Sequence, residues 1–231
     1  KTWGLMRGGG SRRTTKVMQN RVGKAVTKLK RIKGLVKASQ AAIRLVRTGA
    51  EPTWKYGAEA YGLADASLAK LRSATASGCG ANGIQGCPVI AIRTTVGTAG
   101  DPLCVATRAS ILWWVDQWAS EPGLRPVLRR VWQIQLEKLN SLGDQCLKGV
   151  TGPVGTAIFN LSRISWIPSR PDVWTDHLGR TWEFTGQTKA NAAELSAAIL
   201  DGVEHHLDQA AAGHRGGEGI EKGICTDILR R

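Results

Sequence analysis

The first fifty residues contain no acid; the first is Glu51. Over the same stretch, between Lys1 and Gly49, stand fourteen bases. The whole chain of 231 residues has 32 Lys+Arg and 18 Asp+Glu. Fourteen from 32 leaves 18 bases against 18 acids, so the net charge of +14 comes from one block. Aromatics other than tryptophan are scarce, with two Phe and two Tyr against nine Trp. The apolar runs are too short to span a bilayer. The start, Lys1-Thr2-Trp3-Gly4, lacks the apolar core of a secretory leader and an initiator Met, so we expect a piece of a longer, intracellular protein, nuclear or cytoplasmic. Five cysteines, an odd number without regular spacing, argue against a disulfide framework.

Missing motifs exclude several chemistries. There is no Gly-x-Ser-x-Gly elbow, and no cysteine has a recognisable partner histidine. Gly8-Gly9-Gly10-Ser11 lacks the spacing of a phosphate-binding loop. Cys79 and Cys87 are too far apart for a structural zinc pair, and His205 and His206 diverge on a helix, so no metal is expected. No Asp-Asp pair exists to hold two divalent ions. The one suggestive carboxylate set is Asp176 and Glu194, with Asp201 or Asp208 as a third member; Thr175-Asp176 and Asn191-x-x-Glu194-Leu195 are similar to ribonuclease H. Against this, only seventeen residues separate the two; a turn at Asp176 and a helix cap at Glu194 explain them.

What is present is helical. Val22, Val26, Leu29, Ile32 and Val36 recur at helical spacing, with Arg21, Lys24, Lys28 and Arg31 between them. This predicts an amphipathic helix over about 15–36, one side apolar and one strongly positive. The apolar side needs a folded partner, and the positive side suits phosphates. Missing bulky aromatics on the apolar side argue against a membrane-surface helix. A second helix is expected over about 39–47, stopping at Gly49, then a segment with Trp54 and Tyr56, then a helix capped by Asp65. Glycines and a proline across 78–100 read as a linker. Asp101-Pro102 is a strong helix start, followed by a stripe through Leu103, Ala106, Ser110, Trp114 and Trp118. From Pro122 to Gly143 a helix is apolar on two sides, which predicts deep packing, and a shorter one covers about 154–163. A β-hairpin is expected over 173–184, then a helix from a capping box at Asn191 to about 209, with a loose glycine-rich end.

The expected fold is therefore mainly α. Residues 1–77 form a basic helical, thumb-like, nucleic-acid-binding module, 78–100 a linker, and 101–231 a second helical module with one small β-hairpin. The candidate nucleic-acid-binding residues are Arg12, Arg13, Lys16, Arg21, Lys24, Lys28 and Arg31 for phosphates, with Trp54 and Tyr56 as bases' stacking partners. The last two could equally form core.

Trp54-Lys55-Tyr56-Gly57-Ala58-Glu59-Ala60-Tyr61, after a basic helix and before Leu68-Ala69-Lys70-Leu71-Arg72, resembles the thumb of a non-LTR (LINE-type) retrotransposon reverse transcriptase. Trp3-Gly4-Leu5 is similar to the strand that leaves the palm in that family. Residues 167–176 and 214–223 resemble post-polymerase regions of protist retroelements. The Phe/Tyr-x-Asp-Asp catalytic motif and the Cys/His knuckle are absent. The resemblance thus implies a non-catalytic C-terminal piece of an RNA-directed DNA polymerase that grips an RNA–DNA or RNA duplex, with an upstream palm as protein partner. It implies no cofactor in this segment; magnesium belongs to the absent polymerase domain. Two alternatives stand beside it: a truncated ribonuclease H-like metal-dependent nuclease, and a basic ribonucleoprotein structural module.

Overall fold

The structure is a computed structural model that describes residues 15–80, 87–184 and 192–212. It is mainly α-helical with one small antiparallel sheet.

Helix α1 (Lys16–Ala38) is the basic helix. It contains no proline, and it buries Met18, Val22, Ala25, Leu29, Ile32 and Val36 as one stripe. Several like charges sit three or four apart on its outer side, as with Arg21 and Lys24 or Lys24 and Lys28, and each such pair costs a few tenths of a kcal/mol. Burial of the stripe must therefore hold the helix. The expected second helix is a 3₁₀ turn (Gln40–Ile43) and a π-turn (Val46–Ala50) that run into α2 (Glu51–Lys55). Gly49 lies inside the π-turn and does not stop the helix there.

After α3 (Ala58–Tyr61), α4 (Asp65–Gly78) packs along α1, with Gly78 against Leu29 and Gly80 against Val36. Asp65 is the first residue of α4 rather than its cap: the capping position is Ala64, and the Asp65 carboxylate reaches Arg163 at 2.8 Å.

The expected linker is largely structured where described. Pro88–Thr95 form α5, which buries Val89, Ala91, Ile92 and Arg93. The glycine count of this stretch hid a short apolar run that begins at a helix-opening proline. Nor does the core divide there. One hydrophobic cluster contains Met18, Val22, Trp54 and Leu68 together with Trp114, Ile158 and Leu207.

Helix α6 (Pro102–Ser120) starts as expected, with the Asp101 carboxylate accepting from Leu103 N at 2.8 Å. All five residues of its predicted stripe are buried. Helix α7 (Arg125–Leu142) departs from expectation. It buries Trp132 and Leu139, while Leu124, Val127, Val131 and Ile134 face outward. A short α8 (Cys146–Gly149) leads to α9 (Gly152–Arg163), whose residues 154–161 are all buried. Asn160 Nδ2 donates to Ser110 Oγ at 2.7 Å and joins α9 to α6 inside the core.

The sheet has three strands, β1 (Ile167–Arg170), β2 (Val173–Thr175) and β3 (Thr181–Glu183), in that order. Strands β2 and β3 are the expected hairpin, pairing Trp174 with Trp182. β1 is an addition to it. Three indoles of the helices donate to the carbonyls of this unit: Trp114 to Pro171 (2.8 Å), Trp118 to Phe184 (3.1 Å) and Trp132 to Pro168 (3.3 Å). Helix α10 (Ala192–Ala212) closes the fold on α6. Its expected cap, Asn191, lies outside the described residues, as does the glycine-rich end. Among the described residues no helix is long and apolar enough to cross a membrane.

Candidate nucleic-acid interface

On α1, Lys16, Lys24, Lys28, Lys30, Arg31 and Lys37 are exposed, and Arg21 and Lys33 are half-buried. At 100° per residue the buried stripe takes about a quarter of the helix circumference, and the eight cations share the rest. At 1.5 Å per residue the 23 residues of α1 extend about 34 Å. Thr15 makes no side-chain cap and no acid occupies the first turn, so Lys16 stands beside the positive end of the helix dipole with no acid of its own turn to offset it.

Two of the eight cations are engaged with uncharged groups. Arg21 NH1 donates to the Tyr56 carbonyl, and its guanidinium lies over the Tyr56 ring, 4.7 Å from the centroid. Lys28 Nζ donates to Thr53 Oγ1 at 2.8 Å and to the Gly49 carbonyl at 3.3 Å. Both tie α1 to the irregular turns ahead of α3. Among the described residues, none of the eight pairs with a carboxylate. Two of the three acids of this region are committed elsewhere, Glu51 to Lys55 at 3.4 Å and Asp65 to Arg163 at 2.8 Å. Between residues 15 and 80 thirteen bases face three acids, a surplus of ten.

Of the expected site residues, Lys16, Arg21, Lys24, Lys28 and Arg31 share the outer side of α1. Tyr56 is exposed, with one face of its ring under Arg21. Trp54 is not available for stacking: it is 3 % exposed and belongs to the main core. Its burial in one cluster with Met18 and Val22, which the sequence does not display, decides this. Arg12 and Arg13 lie outside the described residues. Lys30, Lys33 and Lys37, which are not among the expected contacts, also lie on α1 off the buried stripe. The same helical wheel that revealed the apolar stripe places them off it.

Among the described residues, Asp176 and Glu194 do not belong to a cluster of metal-binding side chains. Asp176 is buried, and its oxygens accept from Leu178 N (2.9 Å), Arg180 N (2.9 Å), Arg180 Nε (2.7 Å) and Trp182 Nε1 (3.1 Å). Burial by itself pushes the carboxyl up, but the hydrogen bonds from Trp182, Arg180 and Leu178 outweigh it and hold the pKa below the usual value. These four donors occupy the lone pairs a metal would need, and they build the β2–β3 turn. Among the described residues no group of three or more metal-binding side chains could hold an ion. Cys104 is buried beside Asp101, and burial pushes its thiol up to about 12, which leaves it inert.

No family model matches the chain, and neither a curated protein nor a solved structure matches it.

Proposed function

We propose that the chain binds a nucleic-acid duplex through its backbone phosphates, using the outer side of α1. One observation carries this reading: eight cations on a single helix, held in place by the core beneath, meet no carboxylate among the described residues. Such a surface repels itself, and a polyanion relieves the repulsion while releasing counterions. Phosphate contacts of this kind are indifferent to base sequence. The resemblance of residues 54–61 and their neighbours to retroelement polymerases favours an RNA–DNA or RNA duplex as partner. It also favours a non-catalytic role beyond a polymerase palm.

The test is fluorescence anisotropy with an RNA–DNA hybrid over a salt series. Affinity is expected to fall steeply with salt, the logarithmic slope being about 0.9 per phosphate engaged. Replacing Lys24, Lys28 and Arg31 together with Glu should abolish binding and leave the helical circular dichroism unchanged. An unaltered affinity in that variant overturns the reading.

A further inference from the structure

A groove of about 460 Å³ lies between α7 and the β1 segment, away from the cations of α1. Its lining carries charges of both signs. Arg170 grips the buried Asp172 carboxylate with two nitrogens, at 3.1 and 3.0 Å. Arg129 approaches the same Oδ2 only to 3.8 Å, too far for a hydrogen bond. Two cations thus share one carboxylate. One positive charge is left over; Arg129 lines the groove, its guanidinium lies 5.5 Å from the Trp118 ring centroid, and among the described residues it donates no hydrogen bond. Glu137, eight residues and about 12 Å of helix rise further along α7, also lines the groove. Leu136 and Pro171 provide an apolar stretch of wall, and Asn140 and Ser169 offer neutral hydrogen-bonding groups.

The strand side is fixed before any ligand arrives. Trp114 holds the Pro171 carbonyl and Trp132 the Pro168 carbonyl, so the wall carrying Ser169 and Arg170 costs little to order on binding.

We propose that this groove binds a nucleotide by its phosphoryl group, at Arg129 and Arg170. Two guanidiniums at one carboxylate offer more donors than its two oxygens can use, whereas a phosphoryl group presents three acceptor oxygens. The body of the ligand lies along Leu136 and Pro171. Its polar edge meets Asn140 and Glu137, whose carboxylate accepts N–H donors and repels a second anion. A free nucleotide and the phosphorylated end of a strand share this chemistry. The site does not depend on α1 binding a duplex.

The test uses the full chain and isothermal titration calorimetry with AMP, adenosine and inorganic phosphate. AMP should bind saturably and at least tenfold more tightly than adenosine. Arg129→Gln should weaken AMP at least tenfold and move the thermal midpoint little, because among the described residues its contacts are a 3.8 Å ion pair with Asp172 and a ring contact with Trp118, with no hydrogen bond. Ser169→Ala should weaken it in the same direction. The Lys24, Lys28 and Arg31 triple Glu variant should bind AMP as the parent does. Competition between AMP and a 5′-phosphorylated oligonucleotide, absent for its 5′-hydroxyl form, would make a strand end the ligand; without competition the ligand is the free nucleotide. AMP binding no better than adenosine, or indifferent to both Arg129→Gln and Ser169→Ala, overturns the proposal. So does AMP binding lost in the α1 variant, which would reduce it to general attraction by charge.

Discussion

Arg21 roofs Tyr56: its guanidinium stands 4.7 Å from the ring centre while its NH1 donates to the Tyr56 carbonyl. The cation and the aromatic ring that the sequence offered as separate contacts are thus one unit. Arg21 is held by that carbonyl, whereas Lys24 is held by nothing among the described residues. Lys24→Gln is therefore expected to lower the salt slope of duplex binding by about 0.9, one phosphate contact, and Arg21→Gln by less than half of that. Anisotropy over a salt series measures both.

Trp54→Ala is expected to act on the fold and not on a bound base. Emptying a buried tryptophan site costs about 3–5 kcal/mol. Urea denaturation should show that loss, while Trp54→Phe, which keeps an aromatic ring in the site, should retain most of the stability and the full affinity for duplex. A Trp54→Phe variant that folds normally and binds poorly would restore Trp54 as a stacking residue.

Asp176 should make the protein sensitive to acid. Its folded pKa lies below the usual value of about 3.9, so its contribution is complete above that pH and disappears as pH falls through the folded value. Asp176→Asn should be less stable than the parent near neutrality, and the gap should close toward pH 3 and below. Thermal midpoints across that range report it.

His206 works at milder pH. Burial lowers its pKa, and the charge of Arg163 adds to the effect. The unfolded chain therefore takes up the proton more readily, and stability declines as pH drops below about 6.5 toward the lower folded value. His206→Gln should remove this part of the decline, read as urea midpoints at a few pH values between 5 and 7.5.

Gly23 and Gly34 sit inside α1 on its outer side, and an added Cβ at either position meets nothing within 4 Å. Each Gly→Ala change should raise stability by about 0.5–1 kcal/mol. Gly202 is the opposite case. A Cβ there would stand 2.8 Å from Trp166 Nε1 and 3.3 Å from Ile164 Cδ1, so Gly202→Ala should lose about 1–3 kcal/mol. Thermal denaturation of the three variants tests both signs.

Periodicity was the most informative signal. The stripe Val22, Val26, Leu29, Ile32, Val36 located α1, with Val26 only half-buried; Asp101-Pro102 located the start of α6, and turn residues 177–180 located the hairpin. Each of these depends on neighbours within one turn, which a sequence displays directly. What stayed hidden depends on distant partners. Pro168 and the lack of alternation concealed β1, which owes its place to helical indoles. The two apolar sides of α7 look equivalent in sequence; only the packing of α9 and the sheet separates the covered side, with Trp132, from the open one, with Val127 and Ile134. In the candidate interface the cations were legible one by one. The clasp of Arg21 on Tyr56 and of Lys28 on Thr53 was not, because it joins positions 35 and 25 residues apart.

The strands have three or four residues each, fewer than a freestanding hairpin needs to hold its shape in water. Trp114, Trp118 and Trp132 act as pegs, fastening the ribbon's outer carbonyls from another part of the chain. A synthetic peptide of residues 165–185 should accordingly be a random coil, because this β unit exists only as upholstery on its helices.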